Sequence, residues 1–173
     1  MSRRIFISFS YTDQKVARGF NLLRWNKNVD FEFVGRHLLA PVDSSNEAYI
    51  SQKIREQIDG TSVTVVLIGK DTHESTWVAK EIGWSLDKPK KNGILGILLD
   101  GAEKPPRDSP VGRALYEANA DIIKWEPENF SEAVEKAALA AGRAETLESG
   151  GGGGGAGGEG ARGAGGGGCT PRP

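Results

Sequence analysis

Trp77 and Glu81 stand four residues apart in Ser75-Thr-Trp-Val-Ala-Lys-Glu-Ile82, the stretch of this sequence best suited to chemistry. Positions i and i+4 share one face of a helix, so an indole and a carboxylate would point the same way. A carboxylate so placed can balance positive charge developing on a bound ligand and accept hydrogen bonds from hydroxyls. Val78, Ile82 and Leu86 form the neighbouring apolar stripe, which predicts a helix packed on a sheet. Directly upstream, Thr64-Val-Val-Leu-Ile-Gly69 is β-branched and closed by glycine, the pattern of a buried strand. Open α/β sheets bind ligands beyond the C-terminal ends of their strands. Glu81 is therefore the first candidate for a functional group.

The elements that must position it follow from the rest of the pattern. Strand signals over residues 4–9, 30–34, 62–68, 94–99 and 121–125 alternate with helical periodicity over 15–25, 47–58, 75–86, 111–117 and 130–141. The fourth strand is apolar throughout, which predicts a central place in a parallel sheet, and the fifth reads as an edge. Ser10-Tyr-Thr-Asp13 is a polar loop in which Thr12 or Asp13 is placed to cap the following helix. Residues 35–46 form a long loop with Pro41 and the turn-forming Asp43-Ser-Ser-Asn46; its place after a strand makes it a candidate lid. Strict strand-helix alternation without a repeat predicts an α/β fold, a three-layer flavodoxin-like sandwich around a five-stranded, mainly parallel sheet.

Composition narrows the function classes. Of the 24 glycines, 14 fall between Gly150 and Gly168. Such a segment has almost nothing to bury and much backbone entropy to lose. Residues 1–145 are therefore expected to form one domain, and 146–173 a Gly-rich disordered tail. Twenty-two basic side chains face 23 acidic ones, so nothing points to nucleic acid or an anionic membrane. No apolar run approaches a membrane span or a signal peptide. Cys169 is the single cysteine and lies in the tail, and His37 and His73 lack partners at ligand spacing. That argues against a disulfide framework and a metal site, and a cytoplasmic location is the expectation.

Two users of such a sheet are excluded by residues. A phospho-receiver domain needs acids after its first strand and an Asp ending its third, whereas here these ends read Phe9-Ser10-Tyr11 and Ile68-Gly69-Lys70. A flavodoxin needs glycines to wrap phosphate after the first strand; Ser8, Ser10 and Thr12 are present without them. Phe6-Ile-Ser-Phe-Ser-Tyr-Thr-Asp13, Thr61-Ser-Val-Thr-Val-Val-Leu-Ile-Gly69 and Trp77-Val-Ala-Lys-Glu-Ile82 instead resemble the TIR-like, ThsB-like proteins of bacterial Thoeris antiphage defence. More distantly they resemble TIR domains in general. The likeness runs from about Arg3 to Leu99. Trp-x-x-x-Glu alone would be weak, since it fixes two residues only; the agreement of order and spacing carries it.

The resemblance implies NAD⁺ as substrate, with no cofactor or metal, and cleavage of its nicotinamide–ribose bond to give a signalling nucleotide such as a cyclic ADP-ribose isomer. It implies Glu81 as the catalytic residue and Trp77 as its motif partner. Phe6, Ser8, Ser10 and Tyr11 would line the substrate site at the end of the first strand, with Trp77 as a further substrate-binding residue, giving rings to stack and hydroxyls to reach ribose or phosphate. Further partners implied are a phage-derived activator, a downstream effector reached by diffusion of the product, and further copies of the chain through self-association. Two other readings stand beside the enzyme: a non-catalytic interaction module, and a nucleotide sensor that binds without cutting.

Overall fold

In the computed structural model, residues 3–23, 31–34 and 46–144 are described. The candidate lid over 35–46, apart from Asn46, lies outside them, Asp43 and Ser44 included, as do His37, Cys169 and the Gly-rich segment. The chain runs β1 (Arg3–Phe9), a 3-10 turn (Tyr11–Asp13), α1 (Gln14–Leu22), β2 (Phe31–Val34), α2 (Glu47–Asp59) and β3 (Val63–Ile68). It continues through α3 (Thr76–Leu86), β4 (Gly93–Leu98), α4 (Pro110–Glu117), β5 (Asp121–Lys124) and α5 (Phe130–Ala140). The strands are ordered β2-β1-β3-β4-β5, and every neighbouring pair is parallel.

Local chemistry starts the helices where the sequence places small polar residues. The Asn46 side chain accepts from the backbone N–H groups of Ala48 and Tyr49, at 3.1 and 3.3 Å, and opens α2. Ser75 Oγ accepts from Val78 N at 3.3 Å at the start of α3. Ser109 Oγ accepts from Gly112 N at 3.0 Å, with Pro110 in the first turn of α4. Each bond satisfies a donor that the helix cannot, typically worth about 1 kcal/mol. Asp13 differs from expectation: it precedes α1 but its side chain makes no cap. Its carboxylate instead accepts from Thr72 Oγ1 at 3.1 Å, tying the loop after β1 to the loop after β3.

Alternation along the strands sorts side chains to the two faces. Ile5, Val65, Leu67, Leu95 and Ile97 turn toward α1 and α5, where they meet Phe20, Phe130 and Val134. Val66 and Ile68 turn the other way onto Val78, Ile82, Val111 and Leu115 of α3 and α4. Phe6 joins Ile54 and Ile58 of α2, with Trp77 and Trp84 of α3 packed against them. Helices thus cover both faces of the sheet. The fourth strand lies inside the sheet as expected, paired on one side with β3 and on the other with β5, while β3 holds the middle position. All six β3 residues are buried, and β4 is one place nearer the edge. Close approach fixes two glycines: a Cβ on Gly93 would stand 2.1 Å from the Ala137 carbonyl oxygen, and one on Gly112 would stand 1.8 Å from that of Pro106.

Candidate active site

Pairing of β1 with β3 sets the site. Phe6 lies opposite Thr64, and Ser8 opposite Val66. Phe6 and Ser8 share the face that looks toward α2 and α3, two residues apart as the pleat requires. On α3, Val78 and Ile82 anchor the helix to the sheet, which swings Glu81 toward β1. The Ser8 hydroxyl donates to Glu81 Oε2. Ser8 is fully buried, and Glu81 is only 5% exposed. A surface helix acid is thereby excluded, since the carboxyl lies inside the protein in contact with the first strand.

Burial dominates the electrostatics of this carboxyl. Removal from water pushes the Glu81 pKa from 4.5 up to about 8, and the Ser8 hydrogen bond opposes the shift. At neutral pH the group is therefore mostly a neutral acid. Positive charge forming beside it would favour the ionised form and pull the proton off. Such a carboxyl can answer positive charge developing next to it by ionising, which suits a reaction whose transition state is cationic.

The other predicted site residues fall into different places. Phe6, expected to line the substrate site, is fully buried like Ser8, and its ring packs with Ile54 and Ile58. Trp77 is half-buried on the same cluster, edge-on to Trp84 with ring centroids 6.1 Å apart. Lys80 Nζ lies 4.9 Å from the centre of the Trp77 ring and 2.7 Å from Glu47 Oε1 of α2. Trp77 thus fastens α3 to α2 one turn before Glu81. The Ser10 hydroxyl accepts from Thr12 Oγ1 at 3.3 Å. Tyr11 is 84% exposed and stands out from the turn after β1. The structure brings together Ser8 and Glu81, packs Phe6 and Trp77 in the cluster with α2, and places Ser10 and Tyr11 at the turn after β1.

Beyond the Tyr11–Asp13 turn, a cavity of about 550 Å³ opens at the C-terminal ends of β3 and β4, lined by Asp13, Val16, Lys70, Asp100 and Trp125 among others. Glu81 does not line it. Sequence reasoning also missed polar groups in the core. Thr72 is fully buried, accepts from Gly69 N at 2.8 Å and donates to Asp13. Thr64, Ser85 and Asn92 are buried behind Glu81. The signal for Thr64 was a hydroxyl in an apolar strand, and for Ser85 a small polar residue four after Glu81 on the same helix. Among the described residues, no three His, Cys, Asp or Glu side chains cluster so as to hold a metal, and no helix is long and apolar enough to cross a membrane.

A family model described as "Thoeris protein ThsB, TIR-like domain" matches residues 6–104. A protein of Bacillus cereus (strain MSX-D12), named "Putative cyclic ADP-D-ribose synthase ThsB1", is 31% identical over 105 residues, covering 58% of this chain and 53% of that protein. The chain spans about half the length of this curated relative. Among solved structures, the TIR domains of the activated Roq1 resistosome recognising the effector XopQ have 17% identity and a TM-score of 0.41, over 80% of this chain and 84% of theirs. The Flv1 flavodiiron core from Synechocystis sp. PCC6803 has 14% identity and a TM-score of 0.44, over 82% of this chain and 36% of its own. With the match covering Ser8, Trp77 and Glu81 and more than half of its residues, the chain belongs to the TIR-like domain family of Thoeris ThsB proteins.

Proposed function

We propose that this chain is an NAD⁺ nucleosidase and ADP-ribosyl cyclase that produces a signalling nucleotide, a cyclic ADP-ribose isomer, in antiphage defence. The observation that carries the reading is the buried Ser8–Glu81 pair, a carboxyl held between the first strand and α3. Family membership and the name of the Bacillus cereus relative support the same chemistry.

The chemistry asks little of the protein beyond that carboxyl. The bond from ribose C1 to the pyridinium nitrogen breaks, its electron pair stays on nitrogen, and nicotinamide leaves neutral. No general acid is needed for that departure. The ribosyl centre left behind is a cation, which an ionised Glu81 stabilises as glycosidase carboxylates do. Capture by water, which sheds a proton, gives ADP-ribose, and capture by a nucleophile of the same molecule, an adenine nitrogen or a ribose hydroxyl that sheds its proton, gives a cyclic product. Ser8 holds the carboxyl in place. Ser10 and Tyr11 at the turn after β1 supply a hydroxyl and a ring to the bound nucleotide, and Trp77 keeps α3 in place.

Glu81 is enclosed in this structure, so substrate reaches it only when the groups around it separate. Assembly of several copies, or a phage component, would supply that opening, and the released nucleotide would carry the signal to an effector inside the cell. The test is mass spectrometry of nucleotides from phage-infected cells carrying the native chain or Glu81→Gln. A cyclic or linear ADP-ribose species present with the native chain and absent with the variant supports the enzyme. Defence that persists in the variant, with NAD⁺ unchanged in both, would replace the enzyme by an interaction module.

A further inference from the structure

Behind Glu81 lies a run of buried polar side chains that the reaction itself does not use. Thr64 and Ser85 are fully buried, Asn92 is 1% exposed and Thr61 is 3% exposed. Arg143 Nη2 donates to Asn92 Oδ1 at 3.3 Å. Asn92 Nδ2 donates to Thr64 Oγ1 at 3.1 Å and to Thr61 Oγ1 at 2.8 Å. Thr64 Oγ1 and Ser85 Oγ are 2.6 Å apart. Ser85 Oγ donates to the backbone carbonyl of Glu81 at 2.7 Å.

Proton counting fixes the direction of every link. A hydroxyl carries one proton. That of Ser85 goes to the Glu81 carbonyl, so between Thr64 and Ser85 the donor must be Thr64. Having given its proton away, Thr64 can only accept from Asn92, whose amide nitrogen faces it. Arg143 has donors alone, so Asn92 must turn its oxygen toward it. The result is a directed chain of donors that starts at a guanidinium, branches at Asn92 to Thr61, and ends on the main chain of Glu81. Head-to-tail bonds of this kind polarise one another, and in a buried setting each is strongly directional.

We infer that Thr64, Ser85 and Asn92 are positioning residues for Glu81, locking α3 in register on β3 so that its carboxyl meets Ser8. The inference rests on the reading of Glu81 as the catalytic carboxylate. Strand β3 serves as the common ruler: its Thr64 grips α3 through Ser85, and its pairing with β1 places Ser8 opposite Val66. Apolar contacts between Val66, Ile68, Val78 and Ile82 would hold the helix down equally well. They are not directional, however, and would let it slide along the sheet. A slip of about 1 Å at a catalytic group can cost on the order of a hundredfold in rate.

The test uses the full chain and the variants Thr64→Val, Ser85→Ala and Thr64→Ser. Two quantities are read: the titration of the Glu81 carboxyl by carbon-13 NMR, and kcat and KM for NAD⁺. In Thr64→Val and Ser85→Ala the Glu81 midpoint should fall by about one unit or more as the carboxyl gains water. Their kcat should fall about tenfold to a hundredfold with KM within about twofold. Thr64→Ser, which keeps the hydroxyl, should titrate and turn over as the native chain does. A lowered melting temperature with the Glu81 titration unmoved would overturn the inference, leaving these groups a merely structural role. Should Thr64→Val fail to fold, a shifted Glu81 midpoint in Thr64→Ser would overturn it as well. If the native chain shows no turnover even at high concentration with added phage lysate, the proposed function fails, while the titration still decides the positioning.

Discussion

Replacing Glu81 by Gln should change how stability depends on pH, and the size of the change follows from the burial of one carboxyl. In the folded chain Glu81 titrates near 8, whereas in the unfolded chain it returns to about 4.5. Between those values the native state keeps a proton that the unfolded state has shed, so stability falls as pH rises. Below about pH 4.5 the group is neutral in both states and costs nothing. Above about pH 8 it is ionised in both, and the folded chain bears the whole penalty of a buried charge. A gap of about 3.5 units at about 1.4 kcal/mol each sets a ceiling near 5 kcal/mol. Water entry and side-chain relaxation would bring it to a few kcal/mol. The variant carries an amide of nearly the same shape that does not titrate. Other groups titrate alike in both proteins and cancel from the difference. Urea denaturation of native chain and variant at pH 5, 6, 7, 8 and 9 should therefore show the native chain losing about 2–4 kcal/mol relative to Glu81→Gln across the series. Parallel curves would mean that the carboxyl is solvated, and the reasoning about the site would fail with it.

Under the proposed function the same carboxyl would govern activity in the opposite sense. With the ionised form as the working one, kcat/KM for NAD⁺ should rise with pH to a plateau above about 8, with an apparent pKa near 8; a flat profile from pH 6 to 9 would contradict this. Ser8→Ala removes the hydrogen bond that opposes the shift, so the activity limb should move further up in pH, as a rate profile of the variant would show. Two glycines test the packing: Gly93→Ala drives a Cβ into the Ala137 carbonyl, while Gly83→Ala on α3 meets nothing within 4 Å. Chemical denaturation should show the first losing about 3 kcal/mol or more and the second gaining about 1 kcal/mol.

Much of the fold was legible because local signals agreed. The β-branched run of β3 and the helical periodicity starting at Glu47, Ser75 and Val111 placed elements to within a residue or two of their observed ends. Strand order was less legible: an all-apolar β4 reads as an inner strand by composition, and it is one, but which strand sits in the middle depends on how the crossovers wind. Glu81 could be singled out from its helical spacing to Trp77 and from resemblance. Its partnership with Ser8, 73 residues away, follows from the register of β1 on β3, which no local pattern records. Spacing correctly set Trp77 and Glu81 on neighbouring turns, yet could not tell an indole that fastens two helices from one that meets substrate. The Arg143–Asn92–Thr64–Ser85 chain of donors escaped notice for a related reason. Each member taken alone is an ordinary polar residue, and only the fold lines them up.

The account stands on the Glu81 carboxyl acting on the nicotinamide–ribose bond. Nicotinamide released from NAD⁺ should be measured chromatographically at pH 8 with the purified full chain at high concentration and with added phage lysate. Glu81→Gln is run beside it at equal folded concentration. The account predicts steady release by the native chain and a loss of at least about a thousandfold in the variant; equal release by the two would contradict it.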